Sequence, residues 1–138
     1  YPLDNAQKMI IYAKEAGASA VKLQLFNEET IKDSPYKDRL SKLILTEDRI
    51  QELRETAIRP TLNYKNPMLF ALTPMYLEAV DIAAKYADLI KIRFKDHENQ
   101  PLIDKALDTG KTVLISVPYR PIGQYMYHPR IKFLYAIP

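Results

Sequence analysis

Apolar residues recur along this chain at two spacings that take turns, one suited to helices and one to strands. From Asp4 to Ala16, Met9, Ile10, Ala13 and Ala16 repeat at helical spacing behind a cap at Asp4 or Asn5, and Gly17 stops the run. Ala18 to Leu25 then reads as a strand. Its ends do not alternate strictly, which predicts helices over both faces of the sheet. Phe26 to Leu45, with Lys32-Asp33-Ser34-Pro35 inside it, is polar and irregular and is predicted as a loop long enough to serve an active site. Thr46, followed by Glu47 and Asp48, starts a helix with Ile50, Leu53 and Ala57 along one side, and Pro60 ends it.

The second half repeats the cycle. A strand is predicted from Pro67 to Thr73, stopped by Pro74, because the residue before a proline is pushed out of the helical region. A helix follows from about Met75 to Tyr86, with Leu77, Val80, Ala84 and Ile82 inward, and a strand from Ala87 to Phe94. Asn99 to Gly110 carries a polar start, Pro101 in the first turn, Leu102, Ile103, Ala106 and Leu107 on one side, and a terminal glycine, so it predicts a helix. Thr112 to Val117 and Ile131 to Ile137 complete the strands, joined by a Pro-, Tyr- and Gly-bearing connection from Pro118 to Pro129.

No Asn-Gly or Asp-Gly hairpin separates adjacent strands, so parallel βαβ units are expected. A closed (β/α)₈ barrel takes about 250 residues. The five strands counted here therefore predict an α/β fold that is either an open parallel sheet or a partial TIM-type barrel, and a final strand without a covering helix favours the barrel piece. Residues 1–138 read as one domain, or part of one.

Composition narrows the function classes. A chain that is 47% hydrophobic and 27% charged has material for a core, which argues against a disordered segment. Twenty Lys and Arg against seventeen Asp and Glu are scattered, so no nucleic-acid surface is expected, even though Tyr119, Tyr125 and Tyr127 crowd near Arg120 and Arg130. The absence of cysteine removes thiolate metal sites and cysteine nucleophiles. No apolar run nears the ~20 residues of a membrane span, and no signal-like leader precedes Tyr1, so a cytoplasmic protein is expected. Three separated glycines fit neither a P-loop nor a dinucleotide fingerprint. His97, between Asp96 and Glu98, and His128, before Pro129, are weak metal candidates and read as solvated turn residues.

Lys22, Lys91 and Ser116 stand out because each falls in or near the C-terminal end of an apolar run, the end where parallel sheets build substrate sites. A lysine inside a covered strand needs an anion or hydrogen-bond partners. Two such lysines on neighbouring strands could hold a phosphate or carboxylate, with Thr73 and Ser116 as hydroxyl donors and Gln24 as an amide; internal ion pairing with stem burial is the plainer alternative. The anion-site reading requires both lysines to point into one cavity, with Phe94 crowding its edge.

The same residues carry a family resemblance. Ala13-Lys-Glu-Ala-Gly-Ala-Ser-Ala-Val-Lys-Leu-Gln-Leu-Phe26, Leu45-Thr-Glu-Asp48, Phe70-Ala-Leu-Thr-Pro-Met75, Ile90-Lys-Ile-Arg-Phe94, Asn99-Gln-Pro-Leu-Ile103 and Thr109-Gly-Lys-Thr-Val-Leu-Ile-Ser116 occur in the order found in the N-acetylneuraminate (sialic acid) synthase family. Its barrel resembles this chain over nearly its whole length, most poorly after Val117. The resemblance makes the five strands the second to sixth of a barrel whose first and last two strands lie outside this chain.

It implies that Lys22, Thr73, Lys91 and Ser116 surround phosphoenolpyruvate and that Gln24 lies near the reacting end; Arg93 departs from the family, standing where it has alanine, and is a substrate-binding candidate that could restore a cation if its side chain points into the pocket. It also implies condensation with an N-acetylated amino sugar. Carbon 3 of phosphoenolpyruvate attacks the open-chain aldehyde, water adds at carbon 2 and phosphate leaves. A divalent metal, usually manganese, orients the aldehyde, and a homodimer is the usual assembly. The family's two metal-binding histidines match neither His97 nor His128, and its serine after Lys-Ile-Ala is Phe94 here. Two other readings compete. One is a noncatalytic barrel-derived domain that binds a partner protein or a phosphorylated metabolite; the other is an aldolase-type barrel using Lys22 or Lys91 as a Schiff-base amine.

Overall fold

A computed structural model describes residues 3–119 and 123–137. The five strands β1 (Ala20–Leu25), β2 (Leu69–Pro74), β3 (Leu89–Ile92), β4 (Thr112–Val117) and β5 (Ile131–Tyr135) form one sheet in chain order. Every neighbouring pair is parallel, so the sheet is an open piece of a β/α barrel. Helix α1 (Asn5–Glu15) precedes β1, helices α4 (Glu47–Ile58), α5 (Ala79–Tyr86) and α6 (Gln100–Asp108) connect successive strands, and the four pack side by side in that order.

Helices cover one face of the sheet, which corrects the expectation of cover on both. Phe70, Leu72, Ile90, Ile92, Val113 and Ile115 turn toward the helices and join Ile50, Leu53, Val80 and Ile103 in one core. Successive strand residues point to opposite faces. The intervening positions, Lys22, Gln24, Lys91, Leu114 and Ser116, are therefore on the other face and are exposed or half-buried. Alternation is weak in the amino-acid types because Ala71, Leu89 and Leu114 occupy the uncovered face beside the polar residues; burial alternates in β3 and β4 but not in β2, where Ala71 and Thr73 are buried too.

Local signals hold where caps were read. Asp4 accepts from the Gln7 amide in a reciprocal capping box, Thr46 accepts from Arg49, and Asn99 accepts from Leu102. Gly110 follows α6 at φ +78°, a backbone conformation suited to glycine. The stretch from Phe26 to Leu45 is not a plain loop: it folds α2 (Glu28–Ile31) and α3 (Lys37–Ser41), with Ile31 buried. The helix expected from Met75 begins at Ala79, after a turn that leaves Leu77 44% exposed rather than inward. β3 ends at Ile92, and Phe94 belongs to a 3-10 turn, Phe94–Asp96.

Cationic side chains close the ends of the helical layer. Lys14 of α1 is buried, and its Nζ donates to the carbonyls of Ala57 at 2.9 Å and Arg59 at 2.6 Å, past the last turn of α4. Arg54 donates to the Tyr86 carbonyl that ends α5, and Arg130 to the Leu107 carbonyl near the end of α6, each at 2.8 Å. Carbonyls at helix C-termini lack partners within the helix and carry the negative end of its dipole, so a buried ammonium is stabilised there. Lys14→Met keeps the stem but removes a donor from both carbonyls, of which that of Ala57 keeps the Met68 amide at 3.1 Å. It is expected to cost about 2 kcal/mol, read as a lower urea midpoint with an unchanged slope.

Candidate functional site

The strand register gathers most of the candidate residues on the uncovered face. Lys22 lies opposite Ala71 and Gln24 opposite Thr73, while Ala71 lies opposite Leu89. Lys91, two residues beyond Leu89, continues the row of Gln24 and Thr73, and Leu114 lies opposite Lys91 with Ser116 one pleat further on. The result is a polar patch spanning four strands. Lys22 sits mid-strand, and Thr73, Lys91 and Ser116 lie toward the C-terminal ends.

Lys91 and Ser116 are in contact. The Lys91 Nζ donates to Ser116 Oγ at 2.7 Å and to the Ile92 carbonyl at 2.5 Å. Thr73 is 1% exposed, and its Oγ1 has no hydrogen-bond partner among the described residues. A buried hydroxyl left in that state costs about 1–3 kcal/mol, so an acceptor arriving beside it would recover that free energy. Both lysines face the open surface of the sheet, with Lys22 exposed and Lys91 half-buried. The two lysines therefore share one open face of the sheet.

Two cations on one face repel each other and lose water. Desolvation, and secondarily the neighbouring Lys22 charge, hold the Lys91 ammonium down to about 8, while partial desolvation lowers Lys22. No carboxylate lies within ion-pair distance of either lysine among the described residues. Internal ion pairing, the plainer alternative, is therefore not what the described residues provide.

Arg93 extends the row but is already engaged. Its Nε donates to Asp96, and its Nη1 lies 3.3 Å from the Met75 sulfur. It lines a cleft of about 210 Å³ with Gln24, Phe26, Ser34 and Met75, next to the lysines and under α2 and α3. The Phe94 ring packs on His97 with centroids 5.3 Å apart. His97 Nδ1 lies 2.7 Å from the Phe94 carbonyl, and His128 Nδ1 accepts from the Arg130 amide, so both histidines organise turns. Among the described residues no three His, Asp or Glu side chains come together to hold a metal, so these residues do not supply a manganese site.

Residues 9–124 match the NeuB family. The chain belongs to that family. An uncharacterized protein of Methanocaldococcus jannaschii is 33% identical over 125 residues, which are 88% of this chain and 35% of that protein. The chain thus spans about a third of this relative's length. A solved N-acetylneuraminic acid synthetase from Leptospira borgpetersenii serovar Hardjo-bovis, in complex with citrate, superposes with a TM-score of 0.69 at 27% identity over 80% of this chain and 38% of that one. A 3-deoxy-D-arabino-heptulosonate 7-phosphate synthase from Thermotoga maritima, in a truncated form, superposes at 0.58 with 20% identity over 81% of this chain and 34% of that one, a likeness of fold alone. No helix among the described residues is long and apolar enough to cross a membrane.

The Lys91 charge sets a pH signature. Its folded value lies below the ordinary 10.5, so from about pH 8 to 10.5 the unfolded chain binds more protons and stability rises with pH. Below about pH 8 the full penalty is present. Lys91→Met is expected to raise stability by on the order of 1 kcal/mol at pH 7, after allowance for solvent screening, and the gain should vanish toward pH 10.5. Urea melts of both proteins at the two ends of that range measure the difference. A pH-independent loss on substitution would mean that the ammonium is not held at a disadvantage.

Proposed function

We propose that this chain forms the phosphoenolpyruvate-binding wall of a synthase that condenses phosphoenolpyruvate with an N-acetylated amino sugar and releases phosphate. The observation that carries this reading is the cluster of Lys22, Lys91, Ser116 and the unpartnered Thr73 hydroxyl on one sheet face, without a carboxylate to neutralise it. Such an arrangement suits a ligand with two anionic groups. The lysines would balance the phosphate and carboxylate, Thr73 and Ser116 would donate to their oxygens, and Gln24 would lie toward the reacting carbon.

In that reaction the enol carbon attacks the sugar aldehyde, water adds to the adjacent carbon, and the carbon–oxygen bond to phosphate breaks. Negative charge gathers on the departing phosphate, where two fixed ammonium groups lower the barrier more than mobile water could. Aldehyde activation by a divalent cation is not assigned to these residues. The remaining barrel strands, the amino sugar, a homodimeric assembly and a cytoplasmic setting belong to the same proposal.

A second reading has its own support. Phe94 stands where the family has a serine and packs on His97, and the charge of Arg93 is engaged by Asp96. A noncatalytic domain that binds a phosphorylated metabolite would tolerate both changes. Titration calorimetry with phosphoenolpyruvate separates binding from its absence. Lys22→Ala and Lys91→Ala are each expected to weaken binding about 10- to 100-fold, and affinity should fall as pH rises above about 8, where Lys91 loses its proton. Phosphate release with a panel of N-acetylated hexosamines then decides the chemistry: turnover lost in both variants supports the synthase, and saturable binding without turnover supports the second reading. Absence of binding removes both.

A further inference from the structure

An aromatic-lined cleft lies on the other side of the sheet from the lysines. It has a volume of about 210 Å³ and is lined by His97, Glu98, Tyr119, Tyr125 and Phe133, with Val117 from the strand beneath. The chain reaches it because β4 and β5 are joined, among the described residues, by turns rather than by a helix. This is also where the sequence departs most from the synthase pattern.

Its chemistry is aromatic and acidic. Tyr119 donates its hydroxyl to Glu98 at 3.0 Å, and Tyr125 donates to Asp104 at 2.5 Å. The His97 and Tyr119 rings stand edge to face, with centroids 6.1 Å apart and planes at 84°. Among the described residues neither Glu98 nor Asp104 lies within ion-pair distance of a lysine or arginine, and Glu98 has only the His97 ring at 3.7 Å. Ring faces and carboxylates both attract positive charge, while Val117 and Phe133 favour alkyl groups over a hydrated metal ion. The phenol bonds to the carboxylates also fix the two rings and add electron density to them.

We propose that this cleft binds a small organic ammonium ion, with its alkyl groups against Tyr119, Tyr125 and Phe133 and its charge facing Glu98. An anion would meet the Glu98 charge, and a neutral ligand would gain nothing from it. The site is independent of the phosphoenolpyruvate reading because none of its residues lies on the lysine face.

Choline is the probe, titrated against the intact chain at constant ionic strength and followed through the ring signals of Tyr119 and Tyr125. Saturable shifts with a Kd of about a millimolar are expected, and choline should bind about tenfold more tightly than its neutral tert-butyl analogue. Tyr119→Leu and Glu98→Gln should each weaken choline binding about tenfold, whereas Tyr119→Phe, which keeps the ring, should stay within about twofold. Tyr119 is 56% exposed, so these changes leave the core intact. Equal affinity for the neutral analogue would show a merely apolar hole and overturn the proposal. So would shifts that fail to saturate, or binding unchanged in Tyr119→Leu. Undiminished phosphoenolpyruvate binding in the same variants would confirm that the two sites are separate.

Discussion

The parallel register, with Lys22 opposite Ala71 and Gln24 opposite Thr73, decides nearly everything else about this molecule. A slip of β1 by one residue against β2 would turn that strand over, burying Lys22 and Gln24 in the helical core and exposing Val21, Leu23 and Leu25. The apolar set facing α4, α5 and α6 is what makes that slip prohibitive. Packing on one side of the sheet therefore positions the chemistry on the other. Lys22, Gln24, Thr73, Lys91 and Ser116 need not attract one another to assemble, and the two lysines repel.

That division has a cost that is visible in the electrostatics. Lys91 is held below its ordinary protonation range, and Thr73 Oγ1 is buried without a partner. Neither improves the stability of the domain. Both become favourable when an anion with acceptor oxygens occupies the face, which is the behaviour expected of a site whose local frustration is relieved by its ligand. The helical layer, by contrast, has its charges matched: Lys14, Arg54 and Arg130 each satisfy carbonyls at the end of a neighbouring helix.

What could be read in the sequence was local. Caps at Asp4, Thr46 and Asn99 and the Gly110 stop depend on residues within one turn, so the long helices were legible. The order and parallel pairing of the strands followed from the absence of hairpin turns, and the conjunction of Lys91 with Ser116 from their places in two adjacent runs. Helices α2 and α3 were missed because four or five residues do not complete enough turns to show a period. The uncovered sheet face was missed because Ala71, Leu89 and Leu114 look like core residues when tertiary cover is not visible. Lys14 gave no sign of its burial, because its partners lie more than 40 residues away. The paired roles of Tyr119 with Glu98 and Tyr125 with Asp104 were equally nonlocal.

The central proposal is that the lysine face binds an anion, and that binding returns the Lys91 ammonium toward its ordinary range. The most direct measurement is the titration of the Lys91 side chain by NMR, followed at its terminal methylene without and with saturating phosphoenolpyruvate. The account predicts a midpoint near 8 in the free protein and a clear rise toward the ordinary lysine range with ligand bound. A free midpoint already near 10.5, unmoved by phosphoenolpyruvate, would contradict it.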